Sequence, residues 1–284
     1  MASAGGERER DDGGPHVHSR LHNCAHGNRG QGPYINGMTW TELVMAAAPT
    51  RGERPAVSDV RTGEVLSYAM FVKRVTRAAA GLRRQGLGYG ERVIVNVPPG
   101  AALPVAIHAV AWAGGVAVLA ASGSARMMIT QRNYDPAATQ VEQVYSFLPV
   151  EGAKPFAELL DERGVEFGPL AGPALTFDGR RVFDHDELAG DLRRLATRVA
   201  IAKDDVLISA VNDPFRGLRV IDLAMMSGAH VVVAHEPSLV GCRVLAQERG
   251  AGVVVAPYDL ARRLLGNPAL RVVDERTVVS SLGL

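Results

Sequence analysis

One stretch, Glu91 to Leu119, constrains the fold of this chain more than any other. Val93-Ile94-Val95-Asn96-Val97 is a β-branched run that Pro98-Pro99-Gly100 breaks; an alanine-rich apolar segment continues to Trp112, and Gly114-Gly115 releases the chain into Val116-Ala117-Val118-Leu119. Strands written as unbroken apolar runs are covered on both faces, the condition of a parallel sheet with helices on either side, whereas a half-solvated antiparallel sheet alternates. The stretch therefore predicts a βαβ unit in an α/β fold. From Val93 to Ala125 there is no Asp, Glu, Lys or Arg, a run long enough to span a bilayer. Pro98, Pro99, Pro104, His108 and Gly114-Gly115 punctuate it where a βαβ unit turns and where a spanning helix has no such need, so no membrane is expected.

The rest of the composition narrows the class. A hydrophobic fraction of 47% and a net charge of +1 fit a soluble chain with a sizeable core. Arg and acidic residues are interspersed, so no basic face for nucleic acid is expected. Lys73, Lys154 and Lys203 are the only lysines. Cys24 and Cys242 do not make a disulfide framework, and no apolar leader follows the start, so a cytoplasmic location is expected.

Residues 1–36 are Gly, Arg, Asp and His with almost nothing to bury, and are read as a disordered tail. Its His16, His18, His22, Cys24 and His26 are metal-capable donors whose spacing fits no standard closed zinc site, so no metal is assigned. Thr39-Trp40-Thr41-Glu42 has capping-box spacing and should start a short helix. A hairpin over 56–66, a long helix capped by Ser67 and ended at Gly86, and a strand over 125–130 follow. The strand at 125–130 lies too close to Leu119 for the two to be neighbours joined by an ordinary crossover. Val141–Leu148 and Pro155–Arg163 read as short helices, and 174–183 as a small hairpin turning at Asp178-Gly179. Asp184 caps a helix with Glu187 three residues later; strands near 206–211, 231–233, 252–256 and 272–273 then alternate with helices.

In this order the residues resemble the amino-terminal half of the adenylate-forming superfamily: acyl- and aryl-CoA ligases, peptide-synthetase adenylation domains and luciferases. The likeness is carried by Gly63-Glu64-Val65-Leu66-Ser67-Tyr68, Gly86-Leu87-Gly88-Tyr89-Gly90-Glu91-Arg92-Val93, Asn96-Val97-Pro98, and Ala109-Val110-Ala111-Trp112-Ala113-Gly114-Gly115-Val116. Asp184-His185-Asp186-Glu187-Leu188, Gly228-Ala229-His230-Val231 and Val255-Ala256-Pro257 continue it. The resemblance implies two mostly parallel sheets with interleaved helices over 37–284. It further implies subdomains of about 87–167 and about 39–86 plus 168–284, without a C-terminal lid domain. It also implies chemistry that the residues lack. Family members hold ATP phosphates on a hydroxyl- and glycine-rich loop ending in Pro-Lys-Gly; here Gly168-Pro169-Leu170-Ala171-Gly172-Pro173-Ala174 has two prolines, no hydroxyl and no lysine. Catalytic residues and a bound cofactor are accordingly not expected, and the chain reads as a degenerate ligase-like protein serving as a binding or scaffold partner. Two alternatives stay open: half of a split ligase completed by a full-length or complementary chain, and a protein that only binds an acyl or aryl acid.

Candidate ligand residues follow from position. Asn212-Asp213-Pro214-Phe215-Arg216-Gly217 lies beyond a strand's carboxyl end, where open α/β sheets bind ligands. In the enzymes it resembles, an aromatic or His near here lines the acyl pocket, so the resemblance implies that role for Phe215; Arg216 is expected to meet a carboxylate, and Asn212 and Tyr258 are further pocket candidates. The same residues also spell an ordinary strand-to-helix turn, with Asp213 or Asn212 capping and Pro214 starting the helix. His185 is read as part of a helix-start cluster and His108 as a satisfied core histidine.

Overall fold

The capping box at Thr39 forms. The Thr39 amide donates to Glu42 Oε2 at 2.7 Å and the Glu42 amide to Thr39 Oγ1 at 3.4 Å, starting helix α1 (Trp40–Met45). The computed structural model describes residues 38–161, 171–177, 179, 181–235 and 237–279, so the His-rich stretch and the tail expectation fall outside the described residues. After α2 (Ala48–Arg51) come the antiparallel pair β1 (Pro55–Asp59) and β2 (Val65–Ser67). Ser67 Oγ accepts the Met70 amide at 3.1 Å and starts α3 (Tyr68–Arg84).

The predicted βαβ unit is β3 (Arg92–Asn96), α4 (Ala102–Trp112) and β4 (Val116–Leu119). Every residue of α4 from Ala102 to Ala111 is buried, which explains why its sequence is apolar all round. Short strand β5 (Gly123–Ser124) precedes β6 (Met127–Thr130), then β7 (Thr139–Gln140), β8 (Gln143–Ser146) and β9 (Lys154–Pro155). Beyond a 3-10 turn over Phe156–Leu159 lie β10 (Pro173–Thr176), β11 (Phe183–Asp184), α5 (His185–Val199), β12 (Val206–Ser209) and α6 (Pro214–Ser227). The chain continues with β13 (His230–Val233), α7 (Leu239–Arg249), β14 (Val253–Ala256), α8 (Tyr258–Leu264) and β15 (Arg271–Asp274), then a second 3-10 turn over Glu275–Val278.

Two mostly parallel sheets result. One has six strands in the order β15-β14-β12-β13-β1-β2, the other seven in the order β11-β10-β4-β3-β6-β8-β9, and β5 pairs separately with β7. Strand β6 pairs with β3 rather than β4, as the short interval after Leu119 requires. Apolar residues of both sheets and of α1, α3, α4, α5 and α6 form one core, including Trp40, Phe71, Val93, Ile107, Leu192, Ile221 and Val231. On the other faces, Ile208, Val254, Cys242 and Leu264 pack together, as do Ile94, Met128 and Val144. Successive residues such as Val93 and Ile94 therefore enter different clusters, the double cover that the unbroken apolar runs imply.

Three expectations need correction. The segment 141–148 contains a strand, not a helix: Tyr145 and Val144 are both buried, on opposite faces, because β8 pairs in parallel with β6. Over 155–161 there is only the end of β9 and a 3-10 turn, and residues from 162 to 170 lie outside the described residues. Strands β10 and β11, grouped from the sequence with the later subdomain of 168–284, extend the seven-stranded sheet instead, with Leu175 paired to Ala117 on β4.

Candidate functional site

The turn between β12 and α6 adopts the capping geometry that its sequence spells. Asp213 Oδ1 accepts the Arg216 amide at 2.8 Å, and Pro214 occupies the first helical position. This leaves Phe215 and Arg216 facing strand ends of the other sheet. Leu119 at the end of β4, Phe177 just past β10, Asp213, Pro214, Phe215, Arg216 and Val279 line a cavity of about 220 Å³. The carboxyl ends of strands from both sheets thus meet at one place, the usual ligand position in open parallel sheets.

Two aromatic faces define the wall. Phe177 stacks on Phe215 with centroids 4.3 Å apart and planes 23° from parallel, and Phe183 backs Phe177 at 5.5 Å. Arg216 Nη1 donates to Glu275 Oε1 at 2.5 Å, with 37% of the Arg216 side chain and 14% of the Glu275 side chain exposed. A guanidinium has five N–H donors, so this bond leaves an edge with which Arg216 can hold a second carboxylate. Asp213, the other charged residue of the lining, is exposed, with its Oδ1 engaged by the helix cap.

Of the four residues singled out by sequence, the fold brings Phe215 and Arg216 into the cavity. Asn212 is exposed outside its lining, and Tyr258 packs instead beneath the Arg276 guanidinium, 4.2 Å from its ring centroid. Leu119, Phe177, Val279 and Glu275 were not anticipated. Leu119 and Phe177 carried a usable signal, since each ends a strand on the ligand-binding side of a parallel sheet.

The other histidines and acids take structural parts. His108 Nδ1 lies 3.0 Å from Thr41 Oγ1 and Nε2 3.1 Å from Asp222 Oδ1, while Trp40 Nε1 donates to Asp222 Oδ2 at 2.9 Å. His108 is therefore a satisfied core histidine. Asp191 and Arg219, both fully buried, form an ion pair between α5 and α6. His185 begins α5 at 1% exposure; burial first, then the neighbouring His108, holds its pKa below the ordinary histidine value. Asp59 Oδ1 accepts from His235 Nε2 at 2.9 Å and from the Arg61 and Thr62 amides at 2.9 and 3.2 Å. Burial works to raise that carboxyl's pKa, but these bonds and the His235 charge outweigh it and hold it below the usual aspartate range. Among the described residues, no group of three or more His, Cys, Asp or Glu could hold a metal, and no helix is long and apolar enough to cross a membrane.

The segment corresponding to a phosphate loop lies partly outside the described residues, which resume at Ala171. There, the Ala171 carbonyl accepts from the Tyr89 hydroxyl at 2.8 Å and the Gly172 carbonyl from the His185 amide at 3.0 Å. No lysine lines the cavity, and Lys154 sits over the Tyr145 ring, 5.9 Å from its centroid.

Two mostly parallel sheets around a shared helical layer, with a cavity where their strand ends converge, define an α/β fold of the adenylate-forming type. Residues 44–134 match the model of the AMP-binding enzyme family, and the chain is similar in fold to adenylate-forming ligases. It is 33% identical over 167 residues to 4-coumarate--CoA ligase 3 of Oryza sativa subsp. japonica, a match covering 55% of this chain and 27% of that protein. It is 37% identical over 93 residues to a salicyl-AMP ligase / salicyl-S-ArCP synthetase of Mycobacterium tuberculosis, covering 32% of this chain and 16% of that one. The apo structure of Mycobacterium smegmatis MbtA superposes with a TM-score of 0.69 at 20% identity over 87% of this chain and 55% of that chain. A luciferase-like enzyme from the mealworm Zophobas morio does so with a TM-score of 0.68 at 12% identity, over 89% and 72%. The chain thus spans about a quarter of the plant ligase and about half of the MbtA structure.

Proposed function

We propose that this chain binds a small aryl or acyl carboxylic acid in the cavity between β4, β10 and the β12–α6 turn, and does not by itself activate it. The observation that carries the binding reading is the pairing of the Phe177–Phe215 aromatic wall with Arg216 in one 220 Å³ space. Flat apolar surface beside a guanidinium suits an aromatic acid. Two of the similar proteins, 4-coumarate--CoA ligase 3 and a salicyl-AMP ligase, are named for such acids, which supports the same class.

The inactive half of the reading rests on charge. Forming an acyl adenylate concentrates negative charge on a phosphorus centre, which enzymes offset with lysine, metal and backbone donors, each donor contributing roughly 3 kcal/mol. The 168–174 sequence has neither lysine nor hydroxyl, and the chain's three lysines are elsewhere. Calorimetric titration with benzoate, salicylate and 4-coumarate is expected to give heat of binding, with an affinity that Arg216→Ala lowers. Pyrophosphate exchange and hydroxamate formation with the same acids are expected to stay at background. Heat with none of the acids would remove the binding assignment, and turnover would remove the claim of degeneracy.

A second reading has the missing nucleotide and lid functions supplied from outside these residues, by a complementary ligase chain or by further sequence. The fractional span of the relatives favours it. Copurification of a stoichiometric ligase fragment that restores pyrophosphate exchange is the result that would decide for it.

A further inference from the structure

Tyr258 stands outside the acid cavity, but against a turn that acts on it. Strand β15 ends at Asp274, which lies opposite Ala256 two residues before Tyr258, and the chain then makes the 3-10 turn over Glu275–Val278. Both neighbours of Glu275 in sequence are pinned. Asp274 Oδ1 accepts the Arg276 amide at 2.9 Å, and Arg276 Nε and Nη2 donate to Asp274 Oδ2 at 3.0 and 2.5 Å. The Arg276 guanidinium also covers the Tyr258 ring, 4.2 Å from its centroid. Val278 anchors the far end of the turn, fully buried in the main core. Held on both sides in this way, Glu275 places Oε1 on Arg216 Nη1 at 2.5 Å.

Glu275 is therefore a carboxylate already seated on the guanidinium that the cavity offers to a carboxylate. Its tether through a pinned turn gives it a high effective concentration at Arg216, against which a dissolved acid has to compete. A guanidinium binds a carboxylate most strongly through two parallel N–H bonds. While Glu275 stays, a ligand takes only the donors left over; once it swings away, the whole fork is free. Exposure shows which contact can give way. The Arg276 and Asp274 side chains are 61% and 23% exposed, and exposed ion pairs hold weakly, so the turn can loosen at Arg276 while Val278 stays in the core.

We infer that this turn is an autoinhibitory device: Arg276, held by Asp274 and Tyr258, keeps Glu275 on Arg216 as a built-in competitor for the ligand's carboxylate. The inference rests on the acid-binding reading above and adds the regulation of that site. Arg276 and Tyr258 are positioning residues, since neither lines the cavity.

The experiment measures benzoate affinity by calorimetry and backbone amide exchange over 275–279, on the full chain and on Arg276→Ala, Glu275→Gln and the double variant. Arg276→Ala should speed exchange in the turn and tighten benzoate binding about fivefold, the worth of one hydrogen bond. In the Glu275→Gln background the same substitution should add nothing to affinity, because Arg276 acts only through Glu275. Tyr258→Leu, which takes away the ring beneath the guanidinium, should change exchange and affinity in the same direction as Arg276→Ala. Unchanged exchange, an unchanged or weaker affinity in Arg276→Ala, or a gain that persists in the Glu275→Gln background overturns the inference. If the native chain binds benzoate while one of these results holds, the acid cavity stands and only its regulation falls. Absence of benzoate binding in all the chains removes the acid reading and the device with it.

Discussion

Asp222 Oδ1 lies 3.1 Å from His108 Nε2 with neither side chain exposed, tying α6 to α4 at the centre of the helical layer. The same carboxylate accepts from Trp40 Nε1 on α1, so one acid joins three helices. With Nε2–H donated to Asp222, His108 Nδ1 is the acceptor for the Thr41 hydroxyl.

Asp222→Ala would strand an indole N–H and an imidazole N–H in a site closed to water. A loss of about 3–5 kcal/mol is expected from urea denaturation. Trp40→Phe, which removes only one of the two donors, is expected to cost less than Asp222→Ala. A reversed order would disprove the shared-acceptor assignment.

Two helical glycines should respond in opposite directions. A Cβ added at Gly81 on α3 would lie 1.9 Å from the Leu159 carbonyl oxygen, whereas one at Gly190 on α5 would have Arg194 Nη1, at 3.6 Å, as its nearest neighbour. Gly81→Ala is expected to lose about 2–3 kcal/mol because backbone must shift. Gly190→Ala should gain roughly 0.5–1 kcal/mol through helix propensity. Thermal unfolding of the two variants tests the close approach directly.

Acid should weaken the fold near neutrality. His185 has a folded pKa lowered by burial and by His108, with Ala111, Asp186 and Asp184 acting in the opposite sense without reversing it. His230 is lowered too, by burial and then by Arg249. Protonation therefore favours the unfolded chain: stability is full above the unfolded histidine value of about 6.5 and falls as pH drops below it toward the lower folded value. The melting temperature should decline from pH 7.5 to 5, and His185→Phe should flatten the slope. An unchanged slope would mean that His185 is not the group responsible.

At the acid cavity, Glu275 competes with any ligand for Arg216. Glu275→Gln should tighten benzoate binding by a few-fold, and Arg216→Ala should weaken it about tenfold, the worth of a charge-assisted hydrogen bond. Calorimetry distinguishes the two directions. Equal affinities would show that the carboxylate does not sit at Arg216.

The elements legible in the sequence were those that local chemistry determines. Thr39, Ser67, Asp184 and Asp213 all cap the helices that their positions announce, and β3, α4 and β4 follow the apolar runs. Strand β8 was not legible, because Val141, Val144, Tyr145 and Leu148 fit helical spacing as well as a doubly covered strand, and only its pairing with β6 decides. The sheet to which β10 belongs is likewise a matter of partner choice, absent from its own four residues. The cavity divides in the same way. Phe215 and Arg216 follow from a strand end, as Leu119 and Phe177 also do, but the 3-10 turn after β15 that brings Glu275 and Val279 there carries no such signal.

That meeting bears on how the molecule comes to be made. Val57 of β1 lies opposite Val231 of β13, so the six-stranded sheet takes its second strand from the edge out of the early chain and β12 to β15 from the late chain. A ribosome must release the chain through β13 before β1 finds that neighbour, and until then the hairpin presents an unpaired apolar edge. Assembly of this layer is consequently a late, long-range closure, and the chain is exposed to off-pathway association for as long as that closure takes.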